Sequence, residues 1–360
     1  MSAEPSHRIK GLDGLRAIAV FGVFLMHKTA IGERYGLGDY GVWLFFLISG
    51  FLITSQLVNS RDKVEANRAT AWQEMRSFWL RRSFRILPPY YALLAVLTAI
   101  YAAHRREAPG LLWHWGYATN WFIGLRTHAW IGTWGHFWSL AIEEQFYAVF
   151  APLILLFRRT WAPWTCAIVL IVGVGARLWM FGHGAPAIDV YVNSFVNFGT
   201  LALGGLAGFA ARRTPLKGQW FGWTALTAYL AMPFAAVSLG VPVELVALLA
   251  FAVGLMVLLN VTAEQDGTLT RLLSLPPVAY FGRISYGFYL FQSYIPVDLV
   301  GKFTHRSGIL VAVASAAVAF VLAFVWSALS FEFFEMPVQR WGRKHTLSRI
   351  LPEPALRPAE

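Results

Sequence analysis

The first apolar stretch of the chain, Gly11 to Ala30, carries Asp13, Arg16 and His27, with Lys28 following the histidine. An ionisable group at the centre of a membrane helix costs about 2.5–3.5 kcal/mol on insertion scales, so such groups are normally kept for a task. Arg16 and His27 are eleven residues apart. At 3.6 residues per turn that spacing leaves them about 20° apart around a helix axis and about 16 Å apart along it. One helix face then offers a cation near one membrane surface and an imidazole near the other. An imidazole with a pKa near about 6.5 suits a general base. The plainer alternative is a histidine that hydrogen-bonds a neighbouring backbone and fixes packing.

Two adjacent acids, Glu143 and Glu144, lie in Trp138-Ser-Leu-Ala-Ile-Glu-Glu-Gln-Phe-Tyr147. Taken as an inward-running helix, this segment puts them at nearly the depth of His27. A carboxylate beside an imidazole fixes its tautomer and raises its basicity. The acids could equally be satisfied by Arg or Trp donors; of the two, Glu143 is the slightly better candidate. Arg81, Arg82 and Arg85, with Arg76, form a basic cluster before the next apolar run. Arginine binds phosphate through paired hydrogen bonds, although a loop facing anionic lipid would look the same. Asp13, Ser49, Trp138, Ser139 and Tyr286 complete the candidates, as groups that could contact substrate. Ser49-Gly50 also fits close helix packing. The tryptophans at positions 113, 115, 121, 130, 134 and 138 could stack on sugar rings or form an ordinary interfacial belt.

These groups must be positioned by membrane helices. The chain has 360 residues, 57% hydrophobic and 14% charged, with a mean hydropathy of +0.52. Several windows of about 20 residues carry almost no charge, the length needed to cross a bilayer core. The runs are continuous, which excludes a β-barrel. The net charge of +11 fits cytoplasmic Lys/Arg excess and an anionic cosubstrate, and no basic domain outside the membrane points to nucleic acid. The single cysteine, Cys166, excludes an internal disulfide. No P-loop, G-x-S-x-G, H-E-x-x-H or Cys-pair motif is visible, so no metal is expected. The N-terminus lacks a cleavage site, and the first helix is expected to be retained.

In chain order the fold class is an all-α polytopic membrane protein of about ten transmembrane helices. Spans are expected over 11–30, 40–58, 88–103, 137–157, 164–181, 195–211, 221–238, 243–261, 278–300 and 308–334. Pro88-Pro89 are read as the first turn of the third span. The segment 111–125 is too short for an ordinary span and is read as a re-entrant or interfacial outer segment. Basic residues at both ends of the chain place both termini in the cytoplasm. The organisation is one transmembrane domain over 1–343 and a cytoplasmic tail over 344–360, expected to be disordered. No internal repeat of the transporter kind is visible.

Leu12-Asp-Gly-Leu-Arg-Ala-Ile-Ala with His27 resembles the opening helix of the acyltransferase family 3 membrane proteins. Phe45-Phe-Leu-Ile-Ser-Gly-Phe-Leu-Ile53 resembles their second helix, and Arg81-Arg-Ser-Phe-Arg-Ile-Leu-Pro-Pro-Tyr-Tyr91 their basic entry to the third. Trp138 to Tyr147, Ile284-Ser-Tyr-Gly-Phe-Tyr-Leu290 and Glu335-Met-Pro337 resemble later signatures, in order, over about residues 9–343. Where the family often has a histidine after the Tyr-Leu pair, this chain has Gln292. The soluble esterase-like domain fused to some members is not expected in this chain. The resemblance implies a bacterial inner-membrane enzyme. It would move an acyl group, usually acetyl, from cytoplasmic acyl-CoA to a hydroxyl of an external polysaccharide, lipid-linked sugar, peptidoglycan or glycoside. His27 would act as base, Arg16 and the arginine cluster would hold coenzyme A phosphates, and Glu143 or Glu144 would orient His27. The rival from another class is a transporter with an Arg-His-Glu relay; an inactive assembly scaffold is a third.

Overall fold

The structure, a computed structural model, describes residues 9–344 except 106, 214 and 242. The described residues form helices and no strand. In chain order they are α1 Leu12–Lys28, α2 Ala30–Arg34, α3 Leu37–Glu65, α4 Ala71–Ala103, α5 Leu111–Trp115, α6 Thr119–Phe122, α7 Phe137–Leu155, α8 Ala162–Gly182 and α9 Ala187–Tyr191. There follow α10 Ser194–Arg213, α11 Gln219–Ser238, α12 Val243–Ala263, α13 Thr268–Leu273, α14 Pro276–Arg283, α15 Ser285–Gln292, α16 Leu299–Thr304, α17 Ile309–Ser330 and α18 Met336–Gly342. The tail expected over 344–360 lies, beyond Lys344, outside the described residues.

Among the described residues, seven helices are long and apolar enough to cross a membrane: Leu37–Glu65, Ala71–Ala103, Arg159–Gly182, Ser194–Ala211, Gln219–Ser238, Leu245–Ala263 and Ile309–Gly342. Several of them expose large apolar side chains, such as Ile171 and Trp179 on α8 and Val321 and Trp326 on α17. Apolar faces of that extent require a nonaqueous solvent. The expected spans at α1, α7 and α14–α15 are helical but shorter or more charged. α1 and α7 carry the candidate acids and bases, and both are largely buried.

Several boundaries differ from the sequence expectation. α4 starts seventeen residues before Pro88, so Arg76, Arg81, Arg82 and Arg85 ride on a helix rather than a loop. A capping box explains the start. The Thr70 hydroxyl accepts from Gln73 N at 3.2 Å and Gln73 Oε1 accepts from Thr70 N at 2.8 Å, satisfying two otherwise orphaned donors. Pro88 and Pro89 are interior, where each removes a helix hydrogen bond. The expected single span over 278–300 is interrupted: α14 ends at Arg283, α15 ends at Gln292, and α16 begins only at Leu299. No single helix runs through 111–125; the segment folds as α5, α6 and a π turn over Ile123–Thr127.

The chain divides into two compact units, residues 1–51 with 206–327, and residues 52–205 with 328–360. In the first unit α1 is enclosed. A Cβ added at Gly282 of α14 would collide with the Asp13 carbonyl, and one at Gly41 would collide with the Ala19 carbonyl. Glycine is thus required where neighbouring backbones meet α1. Phe24 packs its ring 5.7 Å from Phe288 of α15 and 5.4 Å from Phe320 of α17. Thr29 ends α1 and starts α2: its hydroxyl donates to Leu25 O at 2.7 Å and accepts from Gly32 N at 3.0 Å. Lys10 pairs with Asp266 at 3.0 Å, and that hydrogen bond holds the exposed Asp266 carboxyl below its ordinary range.

In the second unit α7 is the buried centre. Gln145 donates to Tyr117 O and Asn120 Oδ1, both at 2.9 Å, and accepts from Ser194 Oγ at 2.7 Å. Asn120 in turn donates to Ser194 Oγ at 2.9 Å. This network ties α6 and the turn after α5 to α7 and α10. His114 is fully buried, stacked on Trp134 with ring centroids 4.9 Å apart. Its Nε2–H donates to Pro109 O at 2.9 Å while Nδ1 accepts from Thr119 Oγ1 at 2.7 Å. Burial pushes the His114 pKa down to about 4. Cys166 is buried, as expected of a small core residue.

Candidate active site

α1 is unbroken from Leu12 to Lys28, so the eleven-residue spacing does keep Arg16 and His27 on one helix face. Arg16 is half-buried and His27 is exposed. The His27 Nδ1 lies 2.8 Å from the Val23 carbonyl oxygen, one turn back. A carbonyl can only accept, so Nδ1 carries the proton and Nε2 keeps its lone pair. The hydrogen bond thereby fixes the tautomer and leaves Nε2 as the ring nitrogen able to accept a proton. The sequence expectation gave this tautomer-fixing task to Glu143 or Glu144, but the helix's own backbone performs it. Next to it, Lys28 is buried and donates to Ile295 O at 2.5 Å. Gln292 is also fully buried. Its Nε2 donates to Ser293 Oγ at 3.0 Å and its Oε1 accepts no hydrogen bond among the described residues.

The arginine cluster belongs to the second unit. Arg81, Arg82 and Arg85 of α4 line a cavity of about 190 Å³ with Gln56 of α3, Gln339 of α18 and Arg343. Four guanidinium groups converge there. Arg82 donates to Gln56 Oε1 at 2.9 Å and lies 5.8 Å from the Phe78 and 5.7 Å from the Tyr147 ring centroids. Arg81 donates to Ser77 Oγ. Glu335 sits in a π turn over Phe331–Glu335, accepts from Ser330 Oγ at 3.0 Å, and is an electrostatic neighbour of Arg85. A cavity lined by four arginines, two of them held by hydrogen bonds, suits a polyanionic ligand such as a phosphate ester.

Glu143 and Glu144 are half-buried on α7. Glu143 is an electrostatic partner of Arg82 and Tyr147 within the same unit. Glu144 has one buried carboxylate oxygen that accepts no hydrogen bond among the described residues. Trp138 and Ser139 are buried at the start of α7, the Trp138 ring 4.7 Å from that of Tyr191 and Ser139 Oγ 3.5 Å from His136 O. Asp13 is half-buried at the start of α1, Tyr286 half-buried on α15 and Ser49 buried on α3. The structure thus assembles the α4 arginines with Glu143. Asp13, Arg16, His27, Ser49 and Tyr286 belong to the other unit. Sequence inspection missed Gln56, Gln339 and Glu335 as neighbours of the arginines, and took Arg343 only as a topology signal. The run Glu335-Met-Pro-Val-Gln-Arg340 was the available hint. No cluster of His, Cys, Asp and Glu able to hold a metal ion occurs among the described residues.

Residues 9–331 match the acyltransferase 3 family, described as an acyltransferase domain. The chain belongs to this family. It is 26% identical over 364 residues to the peptidoglycan O-acetyltransferase OatA of Listeria monocytogenes, a match covering 93% of this chain and 56% of that protein. It is 25% identical over 384 residues to the O-acetyltransferase OatA of Staphylococcus aureus, covering 93% and 58% respectively. The chain therefore spans little more than half the length of these relatives. No solved structure matches it.

Proposed function

We propose that this acyltransferase 3 chain is a bacterial inner-membrane O-acetyltransferase that takes an acetyl group from cytoplasmic acyl-CoA and gives it to a hydroxyl of an extracytoplasmic glycan. The observation that carries the reading is the His27 ring, exposed, with Nδ1–H committed to Val23 O and Nε2 left as a base. The four-arginine cavity supports an anionic donor, and the names of the relatives support acetyl and a glycan. In the proposed reaction an acceptor hydroxyl oxygen attacks the thioester carbonyl as its proton passes to His27 Nε2. The tetrahedral intermediate collapses, the carbon–sulfur bond breaks, and the departing thiolate takes the proton back from the imidazolium. An ester and free coenzyme A result, and His27 is regenerated. General-base help of this kind is worth about 10²–10⁴ in rate. Arg81, Arg82, Arg85 and Arg343 bind phosphates of the donor, with Arg16 as a further cation on α1.

The test uses membranes carrying the protein, labelled acetyl-CoA and extracted cell-surface glycan, comparing wild type with His27→Ala and His27→Gln at matched protein level. Alkali-labile label in the glycan for wild type, and its loss by about a hundredfold or more in both variants, is the expected result. Equal labelling by all three removes His27 from the chemistry. A wild-type protein that does not bind coenzyme A overturns the donor assignment and favours a transporter.

A further inference from the structure

A second histidine–acid pair lies outside the groups used above. His128 ends the π turn Ile123–Thr127 with φ 49° and ψ 26°, a left-handed conformation. That region is uncommon for a residue with a side chain, and it persists only where surrounding contacts impose it. Here His128 N donates to Ile123 O at 2.8 Å and Thr127 Oγ1 donates to Ala129 O at 2.9 Å. The His128 side chain is 52% exposed, yet its Nδ1 lies 2.8 Å from Oδ2 of the buried Asp189 on α9. A carboxylate oxygen accepts, so Nδ1 carries a proton, and in the neutral imidazole Nε2 is left as the hydrogen-bond acceptor. The other Asp189 oxygen, Oδ1, is buried and accepts no hydrogen bond among the described residues. Burying a carboxylate for one bond to an exposed imidazole is a poor way to anchor a loop. It is an effective way to orient an imidazole.

Two residues along each strand of chain, the contact repeats with aromatic rings. Trp130 meets Tyr191 edge-on, with centroids 5.9 Å apart and planes at 76°. Trp138, itself buried, lies 4.7 Å from Tyr191 and 6.5 Å from Trp130. Trp130 is thus held by rigid neighbours while 52% of it stays exposed. A fixed, half-open indole beside an oriented hydrogen-bond acceptor matches a sugar ring, which offers an apolar C–H face and equatorial hydroxyl groups.

We propose that Trp130 and His128, the latter oriented by Asp189, form a subsite for one neutral sugar ring of the acceptor glycan. The ring stacks on Trp130, and one of its hydroxyls donates to His128 Nε2. Asp189 is a positioning residue. This rests on the glycan acceptor proposed above and specifies where that glycan is held.

The experiment uses the full chain in lipid nanodiscs and the β-1,4-linked tetramer of N-acetylglucosamine as probe, with binding read by saturation-transfer NMR. Wild type should bind the tetramer, and Trp130→Leu and His128→Phe should each weaken it about tenfold. Trp130→Phe and His128→Gln should recover most of the loss, and Asp189→Asn should fall between. Should His128→Phe fail to fold, Trp130→Leu decides, since the indole is half exposed. Wild-type affinity in Trp130→Leu overturns the proposal, as does absence of transfer to the tetramer at about 10 mM in wild type. Coenzyme A binding by wild-type nanodiscs separates the two ideas. Tetramer binding without coenzyme A binding fails the donor assignment alone, and the reverse fails the sugar subsite alone.

Discussion

If the four-arginine cavity holds donor phosphates, its members must differ in what their removal does. Arg343 is exposed and lines the cavity, and among the described residues it has no ion-pair or hydrogen-bond partner. Arg343→Ala therefore removes a ligand contact and nothing else. A charge-assisted hydrogen bond contributes about 1.5–3 kcal/mol when enclosed, and solvent screening at an exposed position reduces that to about 0.5–1 kcal/mol. At about 1.4 kcal/mol per tenfold, coenzyme A should bind about two- to fivefold more weakly. Thermal stability should stay within about 0.5 kcal/mol of wild type. Arg82 is different, because it donates to Gln56, lies beside Phe78 and Tyr147, and is an electrostatic partner of Glu143. Arg82→Ala should lower both affinity and melting temperature. Calorimetric titration of coenzyme A into purified protein at two ionic strengths measures these effects. The Arg343 contribution should shrink at about 0.5 M salt, where the screening length falls to about 4 Å. Unchanged affinity for Arg343→Ala at low salt would refute the assignment of this cavity to the donor.

Three further outcomes are expected. Gly282→Ala places a methyl group against the Asp13 carbonyl and should cost about 1–3 kcal/mol or more, since backbone cannot rotate away; an unchanged melting temperature in detergent would contradict the close α1–α14 approach. Gln145→Leu strips hydrogen bonds from Tyr117 O, Asn120 and Ser194, at about 1–3 kcal/mol for each buried group left unmatched. Adding Asn120→Leu should then cost less than it does alone. Burial holds the His114 pKa at about 4 in the folded chain, against an ordinary imidazole value of 6.5 when unfolded. Its folded pKa is the lower one, so its contribution is intact above pH 6.5 and is lost as pH falls toward 4, by about 3 kcal/mol at the end. Hydrogen exchange over residues 109–122 should quicken across that window, and His114→Gln should remove the pH dependence.

What the sequence revealed and what it hid have physical causes. The spacing of Arg16 and His27 was legible because both sit on one uninterrupted helix, where periodicity alone sets the shared face. The start of α4 was not, because four arginines lower its hydropathy and Pro88-Pro89 imitate a first turn; Thr70 and Gln73, the local signal, sit well upstream of the prolines. The fourth arginine of the cavity follows the other three by more than 250 residues of chain, so no window could pair them. The base tautomer of His27 needed no distant partner at all, only the carbonyl one turn below.

Neither α1, at 17 residues, nor α7 is among the helices long and apolar enough to cross a membrane, and both bury more than half of their residues in protein. The two facts share a cause. A helix bearing Arg16 and His27, or Glu143 and Glu144, cannot present those groups to lipid without several kcal/mol of penalty for each. It is stable only where neighbouring helices replace lipid around it, as Gly282 and Phe288 do for α1 and Asn120 and Ser194 do for α7. A helix carrying such groups and packed within its own unit keeps them from lipid, and they are then available for chemistry.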